Sequence, residues 1–228
     1  MNAFFHNARR LYINVATQER CRIGASLFRI VAGLTILYQY LLAYHQRLFL
    51  FGPNGVVPFD WFIEQLHQTG SFSLYALDRS TIAFDAIFHG GILIAVLWIV
   101  GWHTRLMTLL TWICVWSLHQ RNPTLWDGGD NLVQIVLIYA VFANLGATYS
   151  MDAAKRRPRW LEEGAARQAV IVLHNAAMFA VTVQLCLVYG IAGLYKIQGT
   201  LWQNGTALYY ILRVGEFSWP GYGAAIYE

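Results

Sequence analysis

Two short stretches of this sequence bring together residue types that do chemistry. The first is Asp127-Gly128-Gly129-Asp130, two carboxylates around a glycine pair. Glycine accepts positive φ and lets the backbone approach a ligand closely, so the segment suits a binding turn. It equally suits the start of a helix. Asp130 stands where an N-cap is expected, and an N-cap carboxylate satisfies orphan N–H groups and complements the helix dipole. Asp127 is harder to explain that way. The second stretch is Ile191-Ala192-Gly193-Leu194-Tyr195-Lys196-Ile197-Gln198-Gly199-Thr200-Leu201-Trp202, whose lysine closes a long apolar run. That lysine has two readings. As an anchor, its stem crosses the membrane interface while the ammonium stays in water. As part of a site, it turns inward, where a desolvated amine serves as a base.

Polar residues inside apolar runs form a third group. Arg29 is the costliest, because an isolated charge at membrane depth costs on the order of a few kcal/mol. Asp85, His89, Gln134, His174 and Asn175 are the residues expected to meet it. They form either a network that fixes helix packing or a polar cavity for a headgroup or substrate, with Arg29 and His174 among its binding residues. Standard hydrolase and nucleotide chemistry is disfavoured, since the chain has no His-Glu-x-x-His, Gly-x-Ser-x-Gly or phosphate-binding loop. Cys21, Cys114 and Cys186 are odd in number, widely spaced and without a Cys/His cluster. They read as small buried hydrophobes, and no metal site is expected.

The elements that must position these residues are membrane helices. Hydrophobic residues make up 57% of the chain and charged ones 12%, against roughly 45–50% and 25% in soluble domains. A hydrocarbon core about 30 Å thick takes about 20 apolar residues as a helix. Five such runs are visible, at about 23–44, 81–100, 106–118, 132–145 and 169–194. The last is about 39 Å long at 1.5 Å per residue, which puts Lys196 near a membrane surface. Arg9, Arg10, Arg20 and Arg22 precede the first run, Arg105 follows the second, and Lys155, Arg156, Arg157, Arg159 and Arg167 separate the fourth from the fifth. The other side carries Arg47, Arg79, Arg121, Lys196 and Arg213.

Cytoplasmic loops hold the excess of Lys and Arg, so the N-terminus is expected in the cytoplasm. The net charge of +4 then reports topology rather than a nucleic-acid partner. The expected fold is all-α: a polytopic transmembrane helix bundle of about five spans, multi-pass in the cell (inner or plasma) membrane. An amphipathic cytoplasmic lead-in occupies 1–22, in place of a cleaved signal peptide. The transmembrane domain fills 23–212, closing on a short interfacial helix, and 213–228 form an outer tail. Three segments share the outer side: the long first loop, the loop from His119 to Asn131, and the chain from Lys196 onward. The first loop, with Phe49, Phe51, Phe59, Trp61 and Phe62, offers an aromatic surface for an apolar peptide.

Taken together, Arg121-Asn122-Pro123-Thr124-Leu125-Trp126-Asp127-Gly128-Gly129-Asp130 opening one span and the stretch from Ile191 to Leu212 closing the next resemble the horizontally transferred transmembrane domain family. That family includes the vitamin K-dependent gamma-glutamyl carboxylase. The Asp-Gly-Gly-Asp version resembles its sporulation-delaying protein B-like bacterial branch, which serves maturation of a secreted antimicrobial peptide. The resemblance covers 23–212. In the carboxylase, a lysine in an Ile-Ala-Gly-x-Lys-Lys-type segment is tied to the active site, where an oxygenated hydroquinone removes a glutamate γ-proton. Lys196 matches the second lysine of that pair, and Tyr195 replaces the first. Trp202 and Gly205 match the family's Trp-x-x-Gly pattern. Asp130 falls where the carboxylase has a catalytic histidine, and the carboxylase's large lumenal domain has no match here. The chain also stops where family members usually continue into another span, as a minimal or truncated version.

The resemblance therefore implies an outward carboxylase-like site with Lys196, Asp130 and Asp127 as catalytic residues. Gly128, Gly129, Trp202 and Gly205, with Arg29 and His174, bind substrate or cofactor in that reading. It further implies a quinone or hydroquinone (vitamin K-like) cofactor. The expected partners are the lipid bilayer, a secreted peptide substrate and operon-encoded proteins. The function expected is modification or maturation of a secreted peptide or another membrane-associated substrate. The alternative is a non-catalytic membrane protein that binds a hydrophobic peptide in immunity, chaperoning or export. A transporter is disfavoured, since no internal repeat or pair of broken helices is visible.

Overall fold

The computed structural model describes residues 17–154 and 164–214. Most of the expected lead-in, the basic residues Lys155 to Arg159 and most of the outer tail lie outside the described residues. Those described form helices and turns, with no strand among them. The helices are α1 (Arg22–Ala43), α2 (Arg47–Phe51), α3 (Phe59–Thr69), α4 (Thr81–Val100), α5 (Thr104–Arg121), α6 (Gly128–Phe142), α7 (Ala165–Gln198), α8 (Thr200–Gln203) and α9 (Ala207–Ile211). The five long ones stand within a few residues of the five apolar runs. Arg22–Phe51, Thr81–Val100 and Ala165–Gln198 are long and apolar enough to cross a membrane, and α6 is a shorter apolar helix.

The first loop is not a loop throughout. It holds α2 and α3, and α3 begins at Phe59 directly after Pro58. Of the five aromatic residues expected to form its binding surface, Phe51 and Phe62 are buried, whereas Phe49 and Trp61 are exposed. Part of the expected binding surface is therefore core.

The chain divides into two compact units, Met1–Val181 and Thr182–Glu228, and α7 contributes to both. In the first unit, α1 packs on α4, α4 on α5, and α5 on α6. Two glycines let α1 and α4 approach closely, as small residues do between membrane helices. A Cβ on Gly33 would stand 2.5 Å from Ile99 Cγ1, and one on Gly91 would stand 2.5 Å from the Tyr40 hydroxyl oxygen. Tyr40 meets Phe88 edge to face with centroids 5.1 Å apart. The buried Trp98 donates from Nε1 to Thr108 Oγ1 at 2.8 Å, satisfying its one polar atom.

The reversal between α4 and α5 depends on Gly101. Its φ is 77°, its N–H bonds back to Leu97 and Trp98, and Trp102 N–H also returns to Leu97. This is the left-handed helix end that glycine favours. A Cβ on Gly101 would also collide with Ser150. Asp152 then closes the start of α5, accepting from His103 N (3.1 Å), Thr104 N (2.6 Å) and Thr104 Oγ1 (2.7 Å).

Arg29 corrects an expectation. None of Asp85, His89, Gln134, His174 or Asn175 is its hydrogen-bond partner; backbone carbonyls are. Nη1 donates to Trp98 and Ile99, Nη2 to Tyr149, and Nε to Leu145, over 2.5–3.2 Å. Two of those carbonyls are at the C-terminal end of α4, where helix carbonyls lack partners and a cation is favoured. Four of the five expected partners are used elsewhere. Asp85 pairs with Arg47 at 2.8 Å, and His89 lies 3.2 Å from the Tyr44 hydroxyl. His174 accepts from Asn144 N–H at Nδ1 (2.9 Å) and donates from Nε2 to the Arg20 carbonyl (2.7 Å). Asn175 takes the Arg20 N–H and donates to Gln18. Both residues of α7 thus pin the segment that leads into α1. Of the cysteines only Cys114 is buried; Cys21 and Cys186 are exposed, contrary to the sequence reading.

Candidate functional site

The start of α6 is a reciprocal cap, displaced by one turn from where the sequence put it. Asp127, not Asp130, is the N-cap. Its Oδ1 accepts from Gly129 N (2.7 Å) and Asp130 N (3.1 Å), while Asp130 Oδ2 takes the Asp127 N–H at 3.2 Å. Such capping boxes satisfy orphan donors from both ends of the first turn. Gly128 and Gly129 are ordinary helical residues here, neither with positive φ. Gly129 matters sterically: a Cβ there would stand 3.0 Å from the Asp127 carboxylate.

Asp130 has a second contact that a cap does not require. Gln39 of α1 donates from Nε2 to Asp130 Oδ1 at 2.6 Å. The pair lies on the wall of a cavity of about 500 Å³ in the first unit, within the range typical of small-molecule sites. Leu50, Leu118, Leu125 and Trp126 supply apolar wall, and Ala43 leaves room at the end of α1. Among the described residues, Asp130 is the one formally charged side chain on that wall.

His119 also lines the cavity. It is 4% exposed, lies ring against ring on Trp126, and its Nδ1 has no hydrogen-bond partner among the described residues. Trp126 is held in turn, donating from Nε1 to the His119 carbonyl at 2.7 Å. The next residues along the α5 end fix the opposite rim. Arg121 Nη2 donates to the carbonyls of Gly52 (2.5 Å) and Val57 (2.9 Å), and its guanidinium lies 4.9 Å from the centre of the Phe62 ring. Asn122 donates to the Leu50 carbonyl at 2.8 Å. The connection from α2 to α3 is thereby tied to α5, which holds Leu50 and Phe51 at the cavity.

Lys196 belongs to the second unit. Its side chain is exposed and its ammonium lies 4.9 Å from the centre of the Trp202 ring. Gly199 ends α7 in an extended conformation, and its missing Cβ leaves space for Trp202, whose Cδ1 would stand 3.2 Å from that atom. The glycine and tryptophan after the lysine thus form one local unit: the turn folds the indole back beneath the cation. Gly205 follows with φ 72° and closes the turn from α8 to α9.

The predicted site residues therefore fall into three places. Asp127, Gly128, Gly129 and Asp130 form the α6 start, of which Asp130 reaches the cavity. Lys196, Trp202 and Gly205 form the helix-end unit. Arg29 and His174 line no part of the cavity and are engaged by backbone groups. The sequence reading missed His119, Trp126 and Gln39. The one signal for His119 and Trp126 was the concentration of polar and aromatic residues from His119 to Asn131; Gln39, inside an apolar run, carried no comparable signal.

Comparison with known proteins adds one relative. The chain is similar to sporulation-delaying protein SdpB of Bacillus subtilis (strain 168), with 25% identity over 202 residues. The match takes in 86% of this chain and 57% of that protein, so this chain spans a little over half the length of the relative it matches. No family model matches the chain, and no solved structure matches it.

Proposed function

We propose that the chain is a multi-pass membrane protein whose cavity around Asp130 and His119 faces outward and serves the modification or maturation of a secreted peptide. The observation that carries this reading is the cavity: an apolar wall, a carboxylate without a basic neighbour on that wall, and a buried imidazole with an unpartnered nitrogen. Helix length and hydropathy support the membrane location. The similarity to a sporulation-delaying protein, together with the resemblance to the horizontally transferred transmembrane domain family, supports the peptide connection. The residues fit the vitamin K-like hydroquinone which that family implies. Trp126 and the leucines would suit its ring. When bound, such a group supplies redox chemistry that side chains lack.

A second, non-catalytic reading, in which the protein binds an apolar peptide without altering it, is favoured by the exposed seat of Lys196 over Trp202. A lysine so placed suits an interfacial anchor. The two readings separate in a deletion strain of the native host, with membrane levels of each variant matched. The catalytic reading expects Lys196→Ala and Lys196→Arg both to fail and Asp130→Asn to be impaired. Full rescue by Lys196→Arg would remove Lys196 from the chemistry and leave it as a surface charge.

A further inference from the structure

We infer that the cavity binds a ligand with an apolar body and a protonated amine head, seated on the Asp130 carboxylate. This rests on the cavity being the working site and names the chemistry of what enters it. Charge is the first argument. The hydrogen bonds to the Asp130 carboxylate come from neutral donors, Gln39 Nε2 at 2.6 Å and Asp127 N at 3.2 Å, and neither Lys nor Arg is among the described lining residues. An anionic head meets repulsion there, whereas a cation meets the one charge the wall carries.

Hydrogen bonding is the second argument. An ammonium brings three donors to a carboxylate that only accepts; a hydroxyl brings one. The wall is the third. Leu50, Leu118 and Leu125 take an apolar body, and Trp126 offers a ring face of the kind that attracts cations. The free α-amino end of an apolar peptide has this chemistry.

The test is saturation-transfer NMR on the full chain in nanodiscs of zwitterionic lipid, with empty discs as the reference. Three probes of equal shape are compared: phenethylamine, 2-phenylethanol and 3-phenylpropanoate. The amine is expected to bind best, and Asp130→Asn to weaken it about tenfold or more, as loss of a charge-assisted contact does. Asp130→Glu keeps both charge and cap and is expected to retain the preference. Asp127→Asn, which perturbs the cap away from the cavity wall, is expected to retain it too. If the alcohol or the acid binds as well as the amine, or Asp130→Asn changes nothing, the amine assignment is overturned. In that case, loss of all probe binding in the cavity-filling Ala43→Phe leaves the cavity reading intact. Absence of signal above empty discs for every probe overturns both.

Discussion

Replacing Arg29 discriminates between a residue that binds a ligand and one that holds the bundle together. Its guanidinium serves four carbonyls on two separate segments: Trp98 and Ile99 at the end of α4, and Leu145 and Tyr149 in the stretch after α6. Hydrogen bonds to a charged group are worth about 1.5–3 kcal/mol each, but they do not add when they share one donor group. Leaving buried carbonyls without a donor costs about 1–3 kcal/mol each, so about 3–5 kcal/mol is the expected loss for Arg29→Leu. At about 2–4 °C per kcal/mol for a domain of this size, the melting midpoint falls by roughly 10 °C. Arg29→Lys keeps the charge but not the fork that reaches both segments, so about half that loss is expected. The assay is thermal exposure of Cys114, the buried thiol, to a thiol-reactive dye in a Cys21→Ser, Cys186→Ser background that removes the two exposed thiols. An Arg29→Leu protein that melts like wild type would refute the clamp. If it also lost function, Arg29 would return to the list of ligand-binding residues.

Two further outcomes follow from the same framework. Gly101→Ala is expected to cost about 2 kcal/mol or more, because φ 77° disfavours any Cβ and Ser150 and Arg29 occupy its space; adding Ser150→Gly in the same melting assay should not restore wild-type stability, since Arg29 Nη1 at 2.8 Å and the residue 150 Cα at 2.9 Å still crowd that Cβ, and full recovery would refute the argument. Asp127→Ala is expected to cost about 1 kcal/mol of helix stability and to speed hydrogen exchange at Gly129 and Asp130, the two N–H groups it accepts from, and unchanged exchange there would show that the cap contributes nothing.

Much of the scaffold was legible in the sequence, because membrane helices announce themselves by long apolar runs. The second run coincides with α4, and the other long helices begin or end a few residues from their expected bounds. What composition could not give was partnership. Arg29 was expected to find acids and histidines, yet backbone carbonyls at a helix end serve a cation as well, and no side-chain pattern reports them. The cap at α6 was read one turn late, since the sequence shows two aspartates three apart but not which carboxylate folds back on which N–H. The expected grouping of Arg29 and His174 with the α6 start did not appear, because both are taken up by backbone contacts in the first unit. His119 was passed over because a lone histidine at a helix end carries no motif. Its significance comes from a buried, unpartnered nitrogen and a cavity that only three-dimensional packing creates.

The most direct measurement of the central claim is the rescue of a deletion strain of the native host by Ala43→Phe, compared with Ala43→Ser, at matched membrane levels. Ala43 lies on the cavity wall at the end of α1, and a phenyl group there fills the space without touching Asp130, His119 or Lys196 by substitution. The cavity reading predicts that Ala43→Phe accumulates and melts close to wild type yet fails to rescue, while Ala43→Ser rescues fully. Full rescue by a folded Ala43→Phe protein would contradict it.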